Sequence, residues 1–132
     1  MKNYSLVLLS FLLSTGTEVV QAKVNLTERM PQFSNDKVNV WKTVIYPASG
    51  QALAMHRHDH DRVLVALTDG LLKITTDKGK IHYFKLTKDK AYYPTKDVPD
   101  ELHSDVNTTN QAIKVMVIEL NNNQTKINVT SQ

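Results

Sequence analysis

From Val38 to Leu120 the chain repeatedly alternates apolar and polar residues with a period of two, broken by clusters of Gly, Pro, Asp and Asn. That period marks strands with one face buried, and breaks spaced about 8 to 12 residues apart mark the turns between them. Val38 to Ile45 is rich in β-branched and aromatic residues and predicts a strand ending at Pro47-Ala-Ser-Gly50. Gln51 to His58 predicts a second strand and Arg62 to Thr68 a third, which stops at Asp69-Gly70. Leu71 to Thr76 and Ile81 to Thr87 flank Asp77-Lys-Gly-Lys80, a hairpin turn by composition. Ala91 to Tyr93 is a short strand, Pro94 to Pro99 a loop, and Glu101 to Val106 another short strand. In Ala112 to Leu120, the strongest strand pattern, Ile113, Val115 and Val117 share one face while Lys114, Met116 and Ile118 share the other. No helical period and no internal repeat appears after residue 22, so the fold class is all-β, a sandwich or barrel.

The two ends read differently. Lys2, the apolar run Ser5 to Leu13 and the compact residues Val20-Gln-Ala22 form an export signal cut after Ala22, which places the mature chain in a periplasm or outside the cell. The run is shorter than the roughly 20 apolar residues of a membrane span, so the mature chain is expected to carry none. Residues 23–37 form a polar N-terminal arm interrupted by Pro31, residues 38–120 the single β domain, and residues 121–132 a polar tail. There is no cysteine, so packing, metal or association must stabilise the domain without disulfides. The formal net charge of +3 is small, and its lysines are interleaved with aspartates, a balance that argues against a nucleic-acid partner.

Candidate chemistry concentrates between Gly50 and Gly70. His56, His58, His60 and Arg62 fall at alternate positions, and in an extended segment their side chains share one face. Neutral imidazoles so arranged suit a divalent metal. His60 is a candidate fourth ligand, as is Asp61, and Asp59 and Asp61 are also suited to orienting an imidazole N–H.

Gly50, five residues, His56-x-His58 and then a strand reaching Gly70 resembles the first motif of the cupins, and Pro94, His103 and Asn107 look like counterparts in the second. The resemblance spans Val38 to Leu120 and implies a jelly-roll β-barrel with a metal (iron, manganese, nickel or zinc) between His56, His58 and His103. It also implies dioxygenase-type oxidation of a small organic acid, or a non-catalytic module that binds a ligand or a partner. Two departures stand out. The glutamate of the first motif is replaced by Arg62, or by Val63 if the spacing is one longer, and eight residues instead of fewer separate Pro94 from His103. Arg62 can clamp an anionic small-molecule ligand beside the metal, or pair with Asp59, Asp61 or Glu119. Because Ala112 to Leu120 is apolar on both faces, it also suits the interface of a homodimer.

Overall fold

The computed structural model describes residues 27–47 and 52–121. The expected export signal, Gly50 and the tail beyond Asn121 lie outside the described residues. Eight strands follow in chain order: β1 (Glu28–Ser34), β2 (Val38–Ile45), β3 (Arg62–Ala66), β4 (Gly70–Thr76), β5 (Ile81–Leu86), β6 (Ala91–Tyr92), β7 (His103–Asn107) and β8 (Ile113–Leu120). They form a five-stranded sheet in the order β1-β2-β8-β3-β6 and a three-stranded sheet in the order β5-β4-β7. All strand pairs are antiparallel. The two sheets resemble the expected jelly roll, and among the described residues neither sheet closes on itself.

The core follows from the alternation. Trp41 and Ile45 of β2, Ala66 of β3, Leu72 of β4, Leu86 of β5, and Ile113, Val115 and Val117 of β8 form one buried apolar cluster. Along the same inward rows the residues change character. Apolar residues gather towards one end of the molecule, at Ile45, Ala66, Leu86 and Ile113, and polar ones towards the other, at Arg62, Thr76, His82 and His103. Register keeps the polar ends together, with Thr76 opposite His103 and Ile74 opposite both His82 and Asp105. One end is thereby sealed and the other opens as a cavity.

Two expectations are corrected. The polar arm contains β1, an edge strand whose side chains are almost all exposed, so burial left no alternation to read. Pro31 is tolerated at that edge, where the register shifts before Phe33. Of the strand expected over Gln51 to His58, the described part, Ala52 to His58, is not a regular strand: only His56 forms a bridge there, to His103. The turn at Asp77 to Lys80 is as expected, and Gly79 adopts the positive φ of 79° that an L side chain resists.

At the sealed end Asn107 clamps the two sheets. Its Nδ2 donates to the Ile45 carbonyl at 2.9 Å and the Gln111 carbonyl at 2.7 Å, while its Oδ1 accepts from the Thr109 N–H at 2.8 Å. Gly70 is held to its size by packing, since a methyl there would meet Cγ1 and Cδ1 of the fully buried Ile113. Gly70→Ala is therefore expected to lower stability by about 1–3 kcal/mol, read as a lower urea midpoint with an unchanged slope.

Candidate metal centre

The histidine segment runs beside β7 with one residue too many for a regular ladder. Leu53 N–H donates to the Asp105 carbonyl at 3.0 Å, and His56 and His103 exchange backbone hydrogen bonds of 2.9 and 2.8 Å. Three steps along one strand thus answer two along the other, a bulge centred on Ala54 and Met55. The extra residue breaks the period of two before His56 and lets the ring fold back on its own segment, where Nδ1 lies 2.6 Å from the Ala54 carbonyl oxygen. A carbonyl has no proton to give, so Nδ1 carries the hydrogen and Nε2 keeps the lone pair. Beyond the bulge His58 resumes the parity of His56.

His56, His58 and His103 converge, each offering a ring nitrogen within 4.8 Å of the others. Ring centroids are 4.4 Å apart for His56 and His103, 4.9 Å for His56 and His58, and 5.5 Å for His58 and His103. The group can hold a metal ion, and it lines a cavity of about 420 Å³ whose walls include Trp41, Leu64, Leu72, Phe84 and Val117. His56 Nε2 is buried there without a hydrogen-bond partner, as are Trp41 Nε1 and Arg62 Nη1. A bare imidazole lone pair facing a cavity, with the other nitrogen already committed, fits a metal ligand.

Asp97 organises the remaining polar groups. Its Oδ2 accepts the His58 backbone N–H at 2.7 Å and lies 3.4 Å from His103 Nδ1, while its Oδ1 lies 3.3 Å from Arg62 Nη2. Arg62 is buried, so its partner is Asp97 and neither Asp59, Asp61 nor Glu119. The long spacing between Pro94 and His103 is what delivers this carboxylate: the extra residues form a loop over the cavity. Asp61, a candidate fourth ligand, is occupied elsewhere, accepting from Lys96 N–H at 2.8 Å and Tyr93 hydroxyl at 3.0 Å, and so pins that loop from outside. Neither Asp61 nor His60 lines the cavity or joins the three histidines. His82 is exposed and reaches the cavity rim. Tyr92 packs edge-on against Phe84, whereas Tyr83, Tyr93 and Met55 are exposed.

Sequence reasoning missed three residues of this site. Trp41 was read only as a strand residue, and Asp97 as loop. Asp105, buried with Oδ2 3.6 Å from His56 Nε2 and 3.8 Å from His103 Nε2, had a legible signal in the shared parity of His103-x-Asp105.

The described residues include no helix long and apolar enough to cross a membrane. No protein-family model and no curated protein matches the sequence. Solved structures do match. A cupin-domain protein from Bordetella pertussis Tohama I shares 24% identity with a TM-score of 0.62, covering 76% of this chain and 98% of its own. A cupin-family protein with a double-stranded β-helix fold from Methanocaldococcus jannaschii shares 12% identity with a TM-score of 0.55, over 76% of this chain and 84% of its own. A protein with a double-stranded β-helix domain from Klebsiella pneumoniae shares 15% with a TM-score of 0.56, over 79% of this chain and 84% of its own. The fold is that of a single-domain cupin.

Burial favours the neutral forms of His56 and His58. Burial, then the Arg62 charge, pushes His58 down to about 3, and burial lowers His56 against the opposing pull of the Ala54 carbonyl and Asp105. Burial raises Asp97, but the His58 N–H and Arg62 outweigh it and hold the carboxyl below its ordinary range. Between pH 6.5 and about 3 the unfolded chain protonates His58 and the folded chain does not, so stability falls as pH falls through that window. Above it both states are neutral and the contribution vanishes. Metal-free protein is expected to show this loss in thermal melts, and His58→Gln to flatten it; an unchanged profile in the variant would contradict the assignment.

Proposed function

We propose that this chain is an exported cupin that binds one divalent metal ion through His56, His58 and His103 and holds a small organic anion beside it. The observation that carries the reading is the coincidence, in one cavity, of an unpartnered imidazole lone pair on His56 with two unpartnered buried donors, Arg62 Nη1 and Trp41 Nε1. A buried donor without a partner costs about 1–3 kcal/mol, and a ligand with acceptor oxygens relieves that cost. Bound there, iron, manganese, nickel or zinc would supply a Lewis-acid centre with positions open to ligands, and iron would add dioxygenase-type chemistry.

The protein's own part is orientation. Arg62 stays charged, and Asp97 holds it through Nη2, which leaves Nη1 free for a carboxylate. Trp41 offers its indole N–H from the same inward face of the five-stranded sheet, and Arg29 lies over its ring, 5.5 Å from the centroid. The apolar walls exclude water from the body of the ligand and so strengthen these polar contacts.

A second reading, capture of the anion without turnover, is favoured by Arg62 itself. It stands where cupins that chelate with a glutamate have a carboxylate, and its charge opposes that of a metal. In either reading the chain acts after release at Ala22. A second copy is the partner suited to the outward row of β8, where Met116 and Ile118 are half-buried beside Val63 and Val65.

Metal analysis after reconstitution is expected to give one equivalent per chain and a marked loss in His56→Ala; no bound metal in the native chain would sink the reading. On loaded protein, small carboxylates should raise the melting temperature while the matching amides do not. Arg62→Lys keeps a charge for Asp97 but loses the second arm of the fork, and should weaken carboxylate binding about ten- to hundredfold. Equal binding by the variant would remove Arg62 from the ligand's contacts.

A further inference from the structure

The first motif lacks its carboxylate, but the cavity does not. Asp105 sits on β7 two residues after His103, on the same inward face, and its residue is 8% exposed. A buried carboxylate needs a counter-charge or donors. Arg62, the buried cation of the cavity, is instead tied to Asp97. Among the described residues the Asp105 carboxylate has two polar neighbours, His56 Nε2 at 3.6 Å and His103 Nε2 at 3.8 Å.

Both nitrogens face it with their lone pairs. Nδ1 of His56 is hydrogen-bonded to the Ala54 carbonyl, and for His103 the Asp97 carboxylate, 3.4 Å from Nδ1, is nearer than Asp105, 3.8 Å from Nε2, which favours the hydrogen on the side away from Asp105 in each ring. Two imidazole nitrogens therefore face the Asp105 carboxylate across 3.6 and 3.8 Å, and neither separation is a hydrogen bond. Such a meeting is repulsive unless a cation lies at its centre.

We propose that Asp105 is the fourth protein ligand of the metal centre, a carboxylate supplied from the second motif's strand in place of the one lost at Arg62. The inference rests on the metal-binding reading above. It assigns a mixed site of three imidazoles and one carboxylate, suited to iron, manganese, cobalt or zinc in the divalent state and unsuited to cuprous copper. It also sets the charge. A divalent ion with one carboxylate carries one net positive charge and the Arg62–Asp97 pair adds none, so the centre suits an anionic ligand.

Cobalt(II) tests this without any assay of activity. The chain has no cysteine, so in Asp105→Cys a thiolate-to-cobalt charge-transfer band can arise only from position 105. The band is expected. Asp105→Asn, nearly the same size, is expected to keep or raise the metal-free melting temperature, to keep the one-to-one stoichiometry, and to bind cobalt at least ~10-fold more weakly. Cobalt bound by Asp105→Cys without the band overturns the assignment and leaves the three-histidine site standing; so does Asp105→Asn binding as tightly as the native chain. No cobalt bound by the native chain overturns the metal reading and this inference with it.

Discussion

The site depends on the two oxygens of Asp97. Arg62 is a cation buried on a strand whose other inward residues are apolar, and a buried charge is tolerated only with a partner. Asp97 is that partner. The same carboxylate takes the backbone N–H of His58 and faces Nδ1 of His103, so one loop residue fixes a strand cation, the histidine segment and the ring of the distant histidine together. Asp61 holds the loop from its outer side, through Lys96 and Tyr93, which keeps Asp97 in place.

From that constraint the chemistry follows in order. With Asp97 on Nδ1 of His103 and the Ala54 carbonyl on Nδ1 of His56, the two Nε2 atoms are turned inward. With Asp97 neutralising Arg62 through one nitrogen, the other is left for a ligand. A metal face and an anion clamp are thus set by one shared carboxylate. The bulge at Ala54 and Met55 completes the arrangement, because a regular strand would not bring the Ala54 carbonyl under the ring of its neighbour.

Much of the fold was legible because burial on one side writes a period of two. β2, β4, β5 and β8 lie where alternation predicts, within a residue or so at each end. β1 was not legible: it is an edge strand paired through its backbone, with nearly every side chain in solvent. The histidine segment was misread as a strand because His56 and His58 keep the right parity, while the extra residue precedes them. Convergence of His56, His58 and His103 was expected from family resemblance and not from the pattern, since it depends on which strands pair. Asp97 was hidden for the same reason. Its partners are 35 to 39 residues away or on the far side of the loop, and no local pattern records them.

The central claim is that the fold itself presents the inward lone pairs of His56 and His103 before any metal arrives. Long-range proton–nitrogen NMR on the metal-free protein at neutral pH reads the tautomer of each ring directly. The account predicts Nδ1–H with a bare Nε2 for both. An Nε2–H tautomer, or an imidazolium at either residue, would contradict it.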